Sequence, residues 1–373
     1  MPSPPLPHAS TTARLLRRRR RQGMPTPLPP EPPVHAALTR PSSSMVIACL
    51  RGICCPTSSK PKPKPKPNQK TKTMAAGDDH TTTAITHRTM ELSTGVRLHV
   101  AEAGPAAPGA PTVLLLHGFP ELWYTWRHQM RALAAAGYRA VAPDLRGYGD
   151  SSGAAPELDD PAGQYTALHV VGDLVALIDA LGEERVFVAA HDWGALTAWS
   201  LCLFRPDRVR ALVALSAAYT PRSAALKPVD GLRALYGDDF YICRIQEPGA
   251  IEAEFARLGT ELVIRKFLAG SRTPGPLFIP KGGWGSPDDE VPLPSWVTEE
   301  DLKYYTSKFE KTGFTGPLKY YRIQDFIHKG GFKKFVPLLD DVVVVMNDVG
   351  HFINEEKPEE VSNHIMSFIE KFN

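Results

Sequence analysis

The chain is 373 residues long and carries a formal net charge of +3 at pH 7. The charge is uneven, because residues 1–77 hold 14 Lys or Arg and one acidic residue, which leaves a net charge of −10 on the remainder. This length suits a single α/β domain, and the acidic remainder argues against nucleic-acid binding. No apolar run is long enough to cross a membrane, and the five cysteines show neither metal-ligand spacing nor a disulfide framework, which fits a reducing compartment.

Residues 1–84 form a basic tail that holds 16 of the 36 prolines. Such a segment cannot bury enough apolar surface to fold, so we expect it to be disordered or extended. Three interpretations stay open for it. Its Arg-rich, acid-poor composition is typical of an organellar transit peptide, translation could instead start at Met74, and a basic arm could contact nucleic acid or an anionic membrane.

From about residue 85 the pattern becomes regular. The predicted strands cover residues 89–92, 96–102, 113–116, 139–142, 186–190, 209–215 and 342–346, and the predicted helices cover residues 123–136, 168–181 and 196–204. Strands that alternate with helices indicate a parallel sheet covered on both faces. Residues 219–322 are too long for a connection and have helical periodicity, as at 251–267, so we predict a helical cap between two core parts, residues 85–218 and 323–373.

A single polar side chain marks the corner between the strand at 186–190 and the helix that follows. Asp192 lies there within Ala190-His191-Asp192-Trp193-Gly194-Ala195, beside the small residues that a tight strand-to-helix turn needs. A carboxylate that displaces a leaving group from saturated carbon becomes an ester that water can hydrolyse, whereas a serine would become a stable ether. Asp192 therefore predicts attack on an sp3 carbon. The alternative, a simple helix cap, is favoured for an isolated Asp-x-Gly.

Two further segments are expected at the same sheet edge. His117-Gly118-Phe119-Pro120 follows the strand at 113–116, where a backbone N–H, together with that of Trp193, would form an oxyanion hole. His351 follows the last strand and is placed to activate water. Each segment alone has a simpler interpretation, an ordinary Gly-Pro turn or a structural histidine. The charges of residues 144–151, which are dense in turn formers, are expected to brace a loop.

These motifs together resemble the soluble epoxide hydrolases of plants, within the α/β-hydrolase superfamily. The resemblance covers roughly residues 74–321 and 325–372, and it includes the cap segments Phe240-Tyr241-Ile242-Cys243-Arg244 and Gly313-Phe314-Thr315-Gly316. It implies that two cap tyrosines, here Tyr241 and Tyr321, donate hydrogen bonds to the epoxide oxygen, with the neighbour Tyr320 left open. Two phenols in a dry pocket would stabilise the departing alkoxide. The alternative is that both are core residues of the cap.

The resemblance fails between the cap and the last strand. The family's fold needs a helix, a strand, an acid-bearing loop and another helix there, or roughly fifty residues, but 29 residues separate Tyr321 from His351. We therefore predict an α/β-hydrolase sheet that lacks one strand, with a gap and unpaired backbone groups between the strands at 209–215 and 342–346. Two outcomes stay open, closure of the two edges onto each other or an unstable domain. The Asp that would orient the histidine is missing too, and the loss of such an acid can lower turnover by about four orders of magnitude.

Several aspartates remain as substitutes for the missing acid: Asp325, Asp340, Asp341 and Asp348. Asp325 precedes a predicted last helix, and Asp348 lies only three residues before His351, so neither is assigned. A skipped exon, a mis-predicted gene model and a decayed copy all explain the gap.

The sequence thus predicts an epoxide hydrolase with impaired turnover. The predicted site residues are the nucleophile Asp192, the base His351, the proton donors Tyr241 and Tyr321, and the backbone N–H groups of Phe119 and Trp193. The resemblance implies fatty-acid or other apolar epoxides and water as reactants, with no cofactor or metal. We expect a cytoplasmic location, or an organellar one if the tail is a transit peptide, and a homodimer is left open.

Two rival functions stay open. A haloalkane dehalogenase shares the Asp nucleophile but binds halide, typically through tryptophan N–H groups, and would not need paired cap tyrosines. A non-catalytic member would bind an apolar ligand, or alkylate itself once and stop. Halide release separates the first rival, and the mass of the protein after mixing with an epoxide separates the second.

Overall fold

The computed structural model describes residues 44–51, 84–107, 109–152, 162–219, 226–271, 273, 275–323 and 342–373. All of them belong to one compact unit, Pro41–Asn373. The described strands are β1 Ser44–Arg51, β2 Thr86–Glu91, β3 Arg97–Ala103, β4 Thr112–Leu116, β5 Arg139–Pro143, β6 Val186–His191, β7 Val209–Leu215 and β8 Val342–Asn347. They form one sheet in the order β2-β3-β5-β4-β6-β7-β1-β8.

The sheet has a parallel centre. Strands β5, β4, β6 and β7 pair in parallel, while β3 adds to β5 and β2 adds to β3 in antiparallel pairs. Every residue of β4 and β6 is buried, as expected of apolar strands that are covered on both faces. All seven strands that we predicted are present, and their ends differ from the predicted ones by at most about three residues.

Helices and short 3-10 turns surround the sheet. The core helices are α1 Arg127–Ala135, preceded by the 3-10 turn Trp123–Trp126, α2 Ala167–Ala180 and α3 Trp193–Phe204, and near the C-terminus Ile353–Glu356 and Pro358–Ile369. The described helices between β7 and β8 are α4 Pro228–Tyr236, α5 Tyr241–Ile245, α6 Ala250–Leu258, α7 Thr260–Gly270, α8 Glu299–Thr312 and α9 Thr315–Arg322. The periodic stretch 251–267 is two helices, because Gly259 adopts φ +87 between them.

Alternate residues of the central strands feed two hydrophobic cores. Leu114 and Val188 pack with α2, α3 and the helices α5 to α9, whereas Leu115 and Phe187 pack with α1 and Pro358–Ile369 on the other face. This division follows from the period of two in a strand, which sends neighbouring side chains to opposite faces. The cap helices therefore share one core with the face of the sheet that carries Leu114 and Val188.

Strand β1 lies between β7 and β8, where we predicted a gap. It pairs with both neighbours in antiparallel fashion, so the prediction of unpaired edges at this place is wrong. Residues 44–51 also differ from the disordered tail predicted for residues 1–84. The physical reason is that a short apolar run can satisfy its backbone hydrogen bonds by pairing with strands that are far away in the sequence.

Several predictions fall on residues outside the described ranges. These include the remaining parts of the tail, the last helix predicted from residue 325, and the candidate acids Asp325, Asp340 and Asp341. Among the helices that the structure describes, none combines the length and the hydropathy that a membrane span requires.

Candidate active site

Asp192 lies at the corner between β6 and α3, as the sequence predicts. Its backbone has φ 50 and ψ −119, an unusual conformation for a residue with a side chain. Its N–H donates to the carbonyl of Leu215 (3.2 Å), and its own carbonyl accepts from the N–H of Leu196 (3.1 Å), so both flanking elements hold the corner in place. The strained turn presents the carboxylate above the carboxyl edge of the sheet.

Two glycines make room for this corner. A Cβ on Gly194 would overlap with the backbone carbonyls at the end of β4, and a Cβ on Gly118 would overlap with the side chain of Asp192. Strand β4 and its following loop therefore approach the nucleophile as closely as backbone permits. The small residues around Asp192 in the sequence are explained by this approach.

The carboxylate of Asp192 is held by backbone N–H groups on one side. Phe119 N–H donates to Oδ1 at 2.9 Å, and the N–H of Trp193 also donates to the carboxylate. Burial raises the pKa of Asp192, but the hydrogen bond and charge of His351, the charge of His191 and the Trp193 N–H together hold it below its usual value. Asp192 is therefore ionised at neutral pH, as a nucleophile must be.

Tyr241 and Tyr321 approach the nucleophile from the cap helices α5 and α9. Their ring centroids are 5.8 Å apart, and their hydroxyl groups interact with each other. The side chain of Trp193 also hydrogen-bonds Tyr321, whose ring lies 4.9 Å from the indole. Burial, with the nearby charge of Asp192, raises the pKa of both phenols well above the ordinary value. Both tyrosines are therefore protonated and able to donate.

The neighbouring Tyr320 has a different environment. Its hydroxyl donates to the backbone carbonyl of Arg146 at 3.0 Å, and its ring packs against Tyr148 and Tyr165. With that hydroxyl committed to the core, Tyr320 supports helix α9, and Tyr321 is the member of the pair that lies beside Tyr241.

His351 follows β8 and contacts the carboxylate oxygen of Asp192 that Phe119 does not bind. Its Nε2 lies 3.4 Å from Asp192 Oδ2, and 33% of its side chain is exposed. Its backbone carbonyl accepts hydrogen bonds from His191 Nε2 (2.7 Å) and Ser216 Oγ (2.9 Å). The position of the histidine is thus fixed mainly through its backbone.

No described carboxylate other than that of Asp192 lies within ion-pair distance of His351. The only substitute that falls in the described ranges, Asp348, is exposed and has φ 58, and it makes no ion pair with the histidine. In the part of the chain that the structure describes, His351 therefore lacks the carboxylate that would fix its tautomer and stabilise its imidazolium.

The sequence analysis missed a buried ion pair behind the nucleophile. His191 Nδ1 lies 2.8 Å from Glu121 Oε2, and both side chains are almost fully buried. Glu121 Oε2 also accepts the Gly118 N–H at 2.6 Å, and Thr125 Oγ1 donates to Oε1 at 2.9 Å. His191 lies inside a motif that we recognised and Glu121 directly follows another, but their 70-residue separation gives no signal that they pair.

The charge state of His191 follows from its partners. Its two ring nitrogens face a carboxylate and the carbonyl of His351, both of which only accept, so the ring donates twice and is an imidazolium. Burial lowers the pKa of His191, yet the charge and hydrogen bond of Glu121 outweigh it and raise that pKa to about 9. The ion pair therefore links the loop of Gly118 to that of His351.

The loop at 144–151 braces the site, as we expected. Asp144 binds the imidazole of His99 (2.9 Å), and Arg146 forms two 2.7 Å hydrogen bonds with Asp173. His117 is fully buried, and its Nε2 accepts the Leu145 N–H at 2.9 Å, so its role is structural. In the described ranges, no group of three or more His, Cys, Asp or Glu side chains could hold a metal ion.

The strand order, the strained corner and the loops around it define the class of protein. The family model of the alpha/beta hydrolase fold matches residues 111–241. Among curated proteins, Epoxide hydrolase 3 of Siraitia grosvenorii is 46% identical over 327 residues, which cover 77% of this chain and 99% of that protein. Epoxide hydrolase A of Mycobacterium tuberculosis is 37% identical, over 74% and 94% of the two chains.

Solved structures give the same result. Potato epoxide hydrolase I superposes with a TM-score of 0.68 at 47% identity, over 78% of this chain and all of that one. An epoxide hydrolase from Vigna radiata superposes with a TM-score of 0.67 at 48% identity, over 77% and 99% of the two chains. The chain belongs to the epoxide hydrolase family.

Proposed function

We propose that the chain opens apolar epoxides through an ester on Asp192 and hydrolyses that ester to a vicinal diol. The observation that carries the proposal is the ionised carboxylate of Asp192, with Oδ1 on the Phe119 N–H and two protonated phenols, Tyr241 and Tyr321, at the cap side. A carboxylate faced by paired donors suits a reaction that attacks carbon while an oxygen leaves with negative charge.

In the first step, Asp192 Oδ2 attacks an epoxide carbon. The C–O bond of the ring breaks, and the developing alkoxide accepts hydrogen bonds and then a proton from the Tyr241–Tyr321 pair. Oδ1 becomes the carbonyl oxygen of the ester and keeps its hydrogen bond to Phe119. All parts of this step lie on described, well-packed elements.

In the second step, His351 takes a proton from water, and the resulting hydroxide attacks the ester carbonyl. The N–H groups of Phe119 and Trp193 stabilise the oxyanion as the acyl C–O bond breaks. The leaving oxygen takes the proton from His351, and the new Asp192 carboxyl returns its proton to the tyrosine pair, so the diol leaves and both groups are restored. Because no described carboxylate lies beside His351 except that of Asp192, which is an ester at this stage, we expect this step to be slow relative to the first. The ester should therefore accumulate.

The aromatic rings around Phe119 favour an apolar substrate. Phe119 packs edge-on against Phe267 (5.2 Å) and Tyr321 (5.5 Å), and Phe314 lies 6.3 Å from the same ring. These rings offer few polar groups apart from the phenols that the reaction uses. We infer that epoxides of fatty acids or similar lipids are better substrates than small polar epoxides.

Mass spectrometry of the intact protein tests the function. After mixing with an epoxidised fatty acid, we expect the protein to gain the mass of one substrate within the first turnover, with the adduct on the peptide that contains Asp192. Diol should then appear more slowly than the adduct. A protein that stays unmodified and forms no diol would contradict the proposal and support a non-catalytic binder.

A haloalkane dehalogenase is the second candidate. Trp193, whose side chain points toward Tyr321, is the kind of donor that such an enzyme uses for halide. The paired phenols favour the epoxide, because a halide leaving group needs no proton. Release of chloride from a chlorinated alkane, at a rate above that of epoxide opening, would reverse this assignment.

We also infer a cytoplasmic location, based on the absence of a disulfide framework and on the acidic composition beyond residue 77. Fractionation of cells that express the chain with a C-terminal tag tests this inference. Recovery of a shortened chain in organelles would instead identify the tail as a transit peptide. Sedimentation of the purified chain decides between a monomer and a homodimer.

A further inference from the structure

Strand β1 fills an interior place in the sheet with a segment from outside the expected domain. Residues 47–51 pair with β7, and residues 44–49 pair with β8, antiparallel in both cases. Strands β7 and β8 therefore run in the same direction with one segment between them. Without that segment, both would present a row of unpaired N–H and C=O groups in the interior of the sheet.

The two strands that flank β1 are already packed on their faces. Leu212 and Ala214 of β7 belong to the core beneath the cap, whereas Val213 of β7 and Met346 of β8 belong to the core on the other face. A strand placed between them continues both faces of the sheet. The sequence of the segment matches this environment, because Met45-Val46-Ile47-Ala48-Cys49-Leu50 is a continuous apolar run in an otherwise charged, proline-rich tail.

The segment that connects β1 to β2 is long enough to cross the sheet. Strands β1 and β2 are separated by five strands in the sheet order, or about 29 Å at the usual strand spacing. The roughly 34 residues between them span up to about 110 Å when extended. Residues 44–51 can therefore reach the slot between β7 and β8 while remaining connected to β2 of the same chain.

We propose that residues 44–51 are an integral strand of the catalytic unit, which complements the slot between β7 and β8 as an inserted peptide strand complements an open sheet. The missing strand would have two tasks, to close the sheet and to present an acid in the loop that follows it. Residues 44–51 perform only the first. Because β1 is antiparallel, its end at Arg51 pairs with Ala211 near the start of β7, on the edge away from Asp192. The chain that follows β1 leaves on that edge, so β1 closes the sheet without presenting an acid to His351.

A chain that starts at Met74, or one that is cleaved between residues 52 and 84, loses the strand and exposes two edges. Residues 44–51 would then belong to the folded enzyme, and removal of a transit peptide that contains them would remove a strand of the sheet.

A cysteine placed opposite Cys49 tests the register of the strand in the full chain. Cys49 is the Cα partner of Val342, and Val343 is the partner of Ala48. Directly paired residues have Cα atoms about 4.5–5.5 Å apart and side chains on one face, within the range of a disulfide. We expect V342C, under mild oxidation, to form a disulfide with Cys49, and V343C not to form it.

Tryptic mapping identifies the bond, because cleavage after Arg51 separates Cys49 from Cys54 and Cys55. The double variant C49A/V342C is the control and should lose the cross-linked peptide. Equal cross-linking of V342C and V343C to Cys49, or none in V342C, would overturn the assignment.

A proline substitution tests whether the strand contributes to folding. I47P removes a ladder hydrogen bond inside a central strand and should lower the melting temperature by roughly 10 °C. S59P, which adds a proline outside the strand, should melt within about 1 °C of the parent chain. If I47P and S59P have the same melting temperature, residues 44–51 are not part of the folded unit. The cross-link needs no I47P protein, so the proposal stays testable if that variant is insoluble, and neither readout depends on catalysis.

Discussion

The two halves of the site differ in how completely the chain builds them. On the side of attack, the carboxylate of Asp192 has a backbone donor at 2.9 Å and a pair of protonated phenols, all on packed elements. On the side of ester hydrolysis, His351 is fixed through its backbone carbonyl and has no described carboxylate beside its ring except Asp192. Attack and hydrolysis therefore depend on different groups, and this chain has more of the groups needed for attack than of those needed for hydrolysis.

The largest expected effect is the loss of the nucleophile. D192A should abolish both the adduct and the diol, a decrease of at least about four orders of magnitude, because no other group in the described site can form the ester. Rapid quenching with mass detection measures both products. D207A, which changes an exposed aspartate, is the control and should behave like the parent chain. Adduct formation by D192A at more than a trace would place the covalent step elsewhere.

The second effect tests the proton donors on the attack side. Y321F should slow adduct formation by about a hundredfold to a thousandfold, the usual cost of removing one donor to a developing oxyanion. Y320F is a matched control, because it removes a buried hydroxyl from the same helix that instead donates to Arg146. We expect Y320F to stay within a few-fold of the parent rate. A larger effect of Y320F than of Y321F would reverse the two roles.

The third effect sharpens the contrast between the two halves. H351Q should leave the rate of adduct formation nearly unchanged and slow diol release by roughly tenfold to a hundredfold, at the low end for general bases because His351 lacks its own acid. Single-turnover kinetics separate the two rates, and H364Q at a partly exposed histidine is the control. If H351Q slows both steps equally, the histidine acts on attack as well, and the proposed division fails.

The smallest expected effect is on stability, and it concerns the buried pair of Glu121 and His191. E121Q removes the counter-charge of an imidazolium, so His191 becomes neutral and can donate to one partner only. The pKa of His191 is raised from 6.5 to about 9, which corresponds to ~3 kcal/mol of folding free energy. Since the pKa is raised, this stability is fully present below pH 6.5 and is lost as the pH rises through about 9.

Denaturant unfolding as a function of pH measures this pair. The difference in unfolding free energy between the parent chain and E121Q should be largest near pH 6 and should shrink as the pH rises from 6.5 through about 9. The same difference should also shrink at acid pH. Although burial raises the pKa of Glu121, His191 holds it below its usual value, and the pair is lost once the Glu121 carboxylate is protonated. A difference that stays constant from pH 6 to pH 10 would show that His191 is not charged in the folded chain.

Patterns that are local in the sequence predicted the larger part of the fold and site. The apolar runs of β4 and β6 identified buried strands, and the small residues around Asp192 identified the strained corner. Strand β1 could not be predicted in this way, because its partners β7 and β8 lie more than a hundred residues away and its own apolar run is short. Local patterns reveal an element but not the distant strands that it pairs with.

The same limit applies to single side chains. The sequence left Tyr320 and Tyr321 as neighbours with equal chemistry, and only the direction of each hydroxyl separates them, toward Arg146 or toward Tyr241. Likewise, Glu121 and His191 carry no spacing signal, although their contact fixes the charge behind the nucleophile. Such assignments depend on side-chain packing, which the pattern of residues alone does not specify.

A single turnover in water enriched in oxygen-18 tests the covalent route most directly. If the ester on Asp192 is hydrolysed at its carbonyl carbon, the first diol carries no solvent label, and the label appears in the carboxylate of Asp192. The rate at which the labelled peptide forms also reports the slow half of the reaction. Solvent oxygen in the diol of the first turnover, with an unlabelled Asp192, would mean that water attacks the epoxide itself and would contradict the account.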